Sequence, residues 1–290
     1  MIGAGTRLWA LVSLLVLVAL PAQTQGQGSA PAQPPSPQTI VQQIDALPWQ
    51  KSPAVGRIGS IAQISLDGGL RFLDAAASSK FIQLNGNPPS KNSYVLVPAQ
   101  YAWFAVFTFD DTGHVKDDDK LKSDELLTML KEQNEEGIKE RKKLNLPSLR
   151  LVGWMIEPHY DLETRRLEWG TKLISDGGEE LTNYTIRILG RSGVMQVILV
   201  SDPQHLQEDI KQLRTALRGF DFVEGQRYSE YRSGDKVAEY GLAGLIVGGA
   251  AAVAAKSGAL KGFVKLIGVG VIAALVAVGA FFRKFFGRKT

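Results

Sequence analysis

The stretch of residues 94–109, YVLVPAQYAWFAVFTF, decides the fold that this sequence predicts. It is dense in aromatic and β-branched residues, which favour strands, and Pro98 interrupts it because proline cannot donate a backbone hydrogen bond. The sequence therefore predicts a break at Pro98 and places residues 102–109 as the central strand of a sheet. We expect the aromatic side chains to pack in the core, and a ligand groove is the less favoured interpretation.

Further strands and helices are predicted on both sides of this stretch. Residues 58–66 alternate loosely up to Asp67-Gly68-Gly69 and predict one strand, and residues 150–156, 166–174, 184–189 and 194–200 predict four more. The last two form a hairpin through a short connection that contains glycine. Helices are expected at 73–84, at 124–143 behind a Ser123 cap, and between Pro203 and about Arg218. Locally paired strands with inserted helices indicate an α+β fold with a mainly antiparallel sheet and covering helices.

Two apolar runs lie at the ends of the chain. Residues 8–20 follow Arg7 and lead to Pro21-Ala22-Gln23, the build of a signal peptide, so residues 1–22 are predicted to be removed. An uncleaved anchor is less favoured, because the run is shorter than the ~20 apolar residues that cross a bilayer. Residues 263–282 carry one charge, Lys265, near their start, and predict a transmembrane helix with a basic tail at 283–290. A buried helix of a soluble core is the alternative.

The remaining segments are divided by composition. Residues 23–53 are rich in Pro, Gln and Ser and predict a flexible lead, in which Thr39 caps a short helix that docks on the domain. Residues 54–236 are the predicted α+β domain. The Gly/Ala-rich residues 237–262 are expected at the membrane surface or against the anchor, and a second crossing by 241–255 is the alternative. Gly244 and Gly248 have the spacing that lets helices pack closely, which predicts packing of these segments or self-association.

Charge is distributed unevenly along the chain. Residues 23–236 carry a net charge of −3 and residues 237–290 a net charge of +6. Because basic residues prefer the cytoplasmic side, the sequence predicts a single-pass protein of the cytoplasmic membrane with its main domain outside. Anionic lipid headgroups are the expected partner of the tail, and nucleic acid is not expected. The chain has no cysteine, which excludes lipoprotein anchoring and disulfides.

No motif in the sequence predicts a reaction. The three histidines are scattered, residues 190–194 lack the second glycine of a nucleophile elbow, and the aspartates of residues 110–119 are interpreted as a solvated loop. We therefore expect neither a metal nor a cofactor. Tyr160, Asp161, Arg187 and Arg191 are the candidate polar binding site. A turn cap at Asp161 and sheet-edge pairing of Arg187 explain these residues without a ligand.

Four motifs carry a family resemblance: GHVKDDDKLKSDELL at 113–127, GWMIEPHYDLETRRLEW at 153–169, NYTIRILGRSGV at 183–194 and GQRYSEYRSGDKVAEYGLAGLIVGG at 225–249. Together they resemble the bacterial membrane-anchored proteins grouped as domain-of-unknown-function family 2167. The resemblance covers nearly all of the chain after the lead. It implies an exported envelope protein anchored at its C-terminus, and it supplies no catalytic residues.

These observations favour a non-enzymatic interaction or structural module of the cell envelope that meets a protein partner or the membrane itself. One alternative is an enzyme that acts on an envelope substrate, with Tyr160, Asp161, Arg187 or Arg191 in a cleft. Another is a membrane-active or oligomeric assembly built through residues 241–282. The enzyme requires these four side chains to converge on one pocket, and the assembly requires close helix packing through Gly244 and Gly248.

Overall fold

The computed structural model describes residues 37–85, 89–143 and 148–248. Its strands are β1 (Gln50–Lys51), β2 (Ala54–Ile58), β3 (Ala62–Leu66), β4 (Arg71–Leu73), β5 (Ser93–Val97), β6 (Trp103–Asp110), β7 (Leu149–Asp161), β8 (Arg166–Ser175), β9 (Glu180–Leu189), β10 (Val194–Ser201) and β11 (Phe220–Phe222). Its helices are α1 (Pro37–Asp45), α2 (Ala75–Leu84), α3 (Ser123–Lys143), α4 (Leu206–Ala216) and α5 (Leu242–Val247), with single 3₁₀ turns at Leu217–Gly219 and Tyr228–Glu230.

The strands form two antiparallel sheets. The larger has eight strands in the order β1-β4-β5-β6-β10-β9-β8-β7, and the smaller has three in the order β11-β3-β2. The predicted α+β fold with a mainly antiparallel sheet is therefore confirmed. β6 lies in the interior of the large sheet, between β5 and β10, as the sequence predicts.

Both faces of the large sheet are covered, which explains why β6 is apolar along most of its length. Trp103 and Phe107 point toward the small sheet and α4, whereas Phe104 and Val106 point toward α1 and α2. A third apolar cluster fills the space between β7, β8, α3 and α5. Burying each of these large side chains contributes about 1.5–3 kcal/mol, so the central strand stabilises the packing on both faces of the sheet.

The structure corrects two boundaries. Of residues 58–66, predicted as one strand, only 62–66 form a strand, β3, and Ile58 is the last residue of β2. Residues 59–61 make a tight turn, because Gly59 adopts a positive φ of 58° and the Ile61 amide donates to the Ile58 carbonyl at 3.3 Å. Thr39 lies within α1 instead of capping it. The helix begins at Pro37, where a missing backbone N–H costs nothing.

Helix α1 and strand β1 lie within residues 37–53, which the sequence assigns to the flexible lead. Ile44 is fully buried, and the Trp49 indole donates to its carbonyl at 2.8 Å while packing edge-on against Phe81 of α2. The short helix predicted to dock on the domain is thus present and packed against it, whereas the flexible assignment does not hold for residues 37–53.

Strand β7 is the outer strand of the large sheet, and α3 runs beside it. The Asn134 side chain of α3 donates to the Leu149 carbonyl at 2.9 Å and accepts from the Leu151 amide at 2.8 Å. Three register shifts between β7 and β8, together with Pro158, interrupt the rest of this strand. The Asn134 side chain therefore takes the place of a neighbouring strand at the N-terminal end of β7. The backbone toward the C-terminal end of β7 is irregular.

The predicted signal peptide (1–22), transmembrane helix (263–282) and basic tail (283–290) lie outside the described residues. Within residues 37–85, 89–143 and 148–248, no helix combines the length and the apolar character needed to span a bilayer.

Candidate functional site

Residues 225–240, named here the C-terminal strap, run along the loop 111–119 and the hairpin turn 190–193. Backbone hydrogen bonds fix its course. The His114 amide donates to the Lys236 carbonyl at 2.8 Å, and the Ala238 amide donates to the His114 carbonyl at 2.9 Å. The Arg191 amide donates to the Gln226 carbonyl at 2.9 Å. The strap is thus paired with the domain near both of its ends. It leads directly into α5.

Arg191, one of the four candidate residues, holds the strap through its guanidinium. Its Nε and Nη2 donate to the two carboxylate oxygens of Asp235 at 2.7 and 2.8 Å, and its Nη1 donates to the Gly225 carbonyl at 3.2 Å. The bond from Arg191, helped by the Arg232 amide, lowers the pKa of Asp235 to about 2. One side chain therefore grips two points of the strap that are ten residues apart in sequence.

Tyr160, the second candidate, contributes to an ion-pair cluster beside the strap. Its hydroxyl donates to Asp117 at 2.8 Å, and the same carboxylate forms an ion pair with Arg165. Burial raises the pKa of Asp117, but the hydrogen bond from Tyr160 and the Arg165 charge outweigh it, so this pKa lies below its usual range. Burial and Asp117 raise the pKa of Tyr160.

Four side chains beside this cluster form a stack. The Arg165 guanidinium lies 4.9 Å from the Tyr228 ring centre, Tyr228 lies 4.4 Å from His114, and His114 lies 4.2 Å from Tyr231. The Tyr228 hydroxyl donates to the Val115 carbonyl at 3.0 Å, and burial together with Asp117 raises its pKa to about 12. The strap thus places one tyrosine on each face of the His114 ring.

The other two candidate residues have separate partners. Arg187 of β9 forms an ion pair with Asp110 at the end of β6. Asp161 accepts hydrogen bonds from the Glu163 and Thr164 amides at 2.8 and 3.2 Å, which is the turn cap anticipated from the sequence. Arg191 therefore contacts the strap, and Tyr160 belongs to the ion-pair cluster beside it. The other two candidates join two strands and cap a turn, respectively.

None of the aspartates of residues 110–119 is buried, in agreement with the predicted solvated loop, but several of them also have partners within the chain. Asp110 and Asp117 are ion-paired, and Asp119 accepts a hydrogen bond from the Ala243 amide at 3.2 Å, at the beginning of α5. Three of the five aspartates in this loop therefore fasten other parts of the chain. The sequence shows that these residues are charged, but it does not show which arginines or backbone amides bind them.

Gly244 and Gly248 lie at opposite ends of α5. A Cβ atom on Gly244 would lie 2.6 Å from the Tyr240 Cβ, so Gly244 is packed closely against the strap within this chain. Gly248 has a φ of 85° and follows the last residue of the helix. The buried residues of α5 join the apolar cluster beneath α3.

A second cluster was not found by sequence reasoning. Glu168 of β8 is 5% exposed, accepts a hydrogen bond from the Tyr184 hydroxyl and from Arg214 Nε at 3.0 Å, and lies 3.7 Å from His159 Nε2. Burial and the Glu168 charge raise the pKa of Tyr184. One feature of the sequence could have indicated this cluster: Glu168 lies between Leu167 and Trp169 in a strand. A charged residue in that position faces either solvent or a buried partner.

In the cluster beside the strap and in the Glu168 cluster, the charged side chains form ion pairs with other residues of the same chain. Among the described residues, no group of three or more His, Asp or Glu side chains is arranged to hold a metal ion. The strap cluster combines ion pairs, ring stacking and backbone pairing on one chain segment. Such an arrangement is suited to fastening that segment to a folded domain.

Of three comparisons with known proteins, the one with family models assigns the chain to a family. A family model described as "Protein of unknown function (DUF2167)" matches residues 50–279. The solution structure of cyanobacterial PsbP (CyanoP) from Synechocystis sp. PCC 6803 is 10% identical with a TM-score of 0.34, covering 60% of this chain and 92% of that one, which is too distant to carry an argument. Comparison with curated proteins gives no significant match.

Proposed function

The chain belongs to the DUF2167 family of proteins of unknown function, as its motifs predict, and we propose that it is a membrane-anchored, non-enzymatic interaction module. In this proposal residues 54–236 lie outside the cytoplasmic membrane and residues 263–282 cross it. The basic tail then meets anionic headgroups on the cytoplasmic side. The partner of the domain is a protein of the envelope or the membrane surface.

The observation that carries the proposal is the fastening of the C-terminal strap. The strap and α5 are the last part of the described chain before the apolar segment 263–282. Asp235 is held by Arg191, and Asp119 holds the beginning of α5. The fastened strap and α5 therefore give the described chain a defined exit point at Gly248, which suits a binding module tethered through its C-terminal residues.

The chemistry of the candidate residues supports a non-enzymatic role. General acid–base catalysis works best with a group whose pKa lies near the working pH. The pKa of Tyr160 is raised from 10.0 and the pKa of Asp117 is lowered from 3.8, so both move away from neutrality. Arg187 and Arg191 are committed to carboxylates of the same chain.

Single cysteines test the topology, because the chain contains none of its own. Val55 is 51% exposed on the edge of the small sheet, and Thr290 ends the chain. In spheroplasts of a bacterial expression host, we expect a membrane-impermeant maleimide to label Val55→Cys directly and Thr290→Cys only after detergent is added. The matched control is the cysteine-free chain, which should remain unlabelled.

Fractionation of the same cells tests the anchor. We expect the full chain to stay with the membrane pellet after an alkaline carbonate wash, and a variant that ends at Gly248 to be released. Recovery of the full chain in the soluble fraction, or protection of Val55→Cys in spheroplasts, would contradict the proposal. Labelling of both cysteines without detergent would favour the helical hairpin over the single crossing.

A further inference from the structure

His114 occupies the centre of the strap attachment. Its ring lies between the rings of Tyr228 and Tyr231, and its backbone pairs with Lys236 on one side and Ala238 on the other. Only 9% of the residue is exposed. A change in the charge of this ring therefore acts directly on both stacking contacts, and the same residue holds two backbone hydrogen bonds of the strap.

Charged and titratable groups face His114 from each element packed against it. They are Asp117 of its own loop, Tyr228, Tyr231, Asp235 and Lys236 of the strap, Arg165 of the β7–β8 turn and Arg191 of the hairpin turn. Asp117 and Asp235 favour a protonated ring, as does a backbone group of Arg191. Both carboxylates already serve arginines, so their charges are largely neutralised at this site.

Two features of the site oppose a protonated ring. Protonated histidine donates from both ring nitrogens, and His114 Nδ1 is buried with no hydrogen-bond partner in the part of the chain that the structure describes. The Tyr228 ring, which offers its face to His114, already carries the Arg165 guanidinium on its other side. A second cation on the same ring meets repulsion from the first, which weakens the cation–π attraction.

We propose that the C-terminal strap is an acid-sensitive latch, in which protonation of His114 loosens residues 226–238 while the two sheets stay folded. The proposal concerns the domain alone and does not depend on the membrane. The latch is closed when the ring is neutral and stacked between its two tyrosines. It opens when the ring gains a proton and water becomes the better environment for it.

The direction follows from linkage. Burial lowers the pKa of His114 in the closed state below 6.5, whereas in the open state the ring is hydrated and titrates near that value. The open state therefore binds more protons once the pH falls below about 6.5. The closed state is fully favoured above this pH and is weakened progressively below it.

Hydrogen exchange of the full chain in detergent tests the latch. After correction for intrinsic exchange rates, we expect protection of the Ala238 amide to fall roughly threefold to tenfold between about pH 7.5 and about pH 5, with protection in β6 and β10 unchanged. His114→Phe keeps an aromatic ring in the stack and should remove this pH dependence. His205→Gln, at the N-terminal end of α4, is the matched control and should retain it.

Two results would overturn the proposal. One is protection of the strap that rises on acidification, because the cation–π attraction would then dominate. The other is the same pH dependence in His114→Phe as in the unmodified chain. If His114→Phe does not fold, an NMR titration of the His114 ring decides, since a midpoint at or above 6.5 contradicts the latch.

Discussion

The Glu168 cluster and the C-terminal strap use similar groups to different ends. Glu168 is 5% exposed and joins strands β8 and β9 of the large sheet to the covering helix α4. The Arg191–Asp235 pair of the strap has about a fifth of each side chain exposed. Because Glu168 is buried between the large sheet and α4 while Asp235 holds a peripheral segment, loss of the Glu168 charge should destabilise the whole domain, and loss of the Asp235 charge should only release the strap.

The largest effect is expected at Glu168. Glu168→Gln removes the charge that Arg214 and Tyr184 share. Arg214 is 44% exposed and can be hydrated in the variant, so we expect a loss of about 2–3 kcal/mol of unfolding free energy from the weakened hydrogen bonds at the buried end. Urea denaturation of the detergent-solubilised chain measures this loss. Glu157→Gln, an exposed glutamate on β7, is the control and should change stability by less than about 0.5 kcal/mol. Equal effects of the two changes would show that Glu168 does not join the layers.

A smaller and more local effect is expected at Asp117. Asp117→Asn weakens the contacts with Tyr160 and Arg165, which we expect to cost about 1–2 kcal/mol, mostly in the local opening of the strap. Hydrogen exchange should become faster in residues 226–238 and stay unchanged in β6. Asp118→Asn, the exposed neighbour, should leave both regions unchanged. Faster exchange throughout the domain would mean that the strap cannot be separated from the core.

The smallest effect is expected at Asp235, because Arg191 keeps its hydrogen bond to the Gly225 carbonyl when the ion pair is lost. The pKa of Asp235 is about 2 in the folded protein against 3.8 in the unfolded chain, so its contribution is present above about pH 4 and is lost as the pH falls toward 2. Hydrogen exchange of the strap should show this acid step, and Asp235→Asn should abolish it. Asp67→Asn, in the exposed β3–β4 turn, should leave it in place. A step that persists in Asp235→Asn would assign it to another carboxylate.

Much of the fold could be predicted because its signals are local. Pro98, the glycines between β9 and β10, and the apolar spacing of α4 each specify an element through a few neighbouring residues. The tight turn at Gly59 was missed because residues 58–66 read as one alternating run. The length of β7 was missed as well, since its bulges disturb the alternation beyond Ile156.

The site was predictable only in part, because its contacts join distant residues. Tyr160 and Arg191 were identified by residue type, but Asp117 and Asp235 lie more than 40 positions away from them in sequence. Glu168 was overlooked because one sequence cannot show that both faces of β8 are covered. His114 was weighed as a metal ligand, and only the folded strap reveals the two rings that enclose it.

The outer strand β7 has a consequence for crowded conditions. Sheet proteins concentrated side by side tend to join through free backbone groups and grow into fibres. Here Asn134 occupies part of that border, the bulges distort the remainder, and the opposite border, β1, is only two residues long. Copies packed together on one surface are therefore not expected to join through either border of the large sheet, and the outer strand β2 of the small sheet is the longer border that the fold leaves for such a ladder of amides.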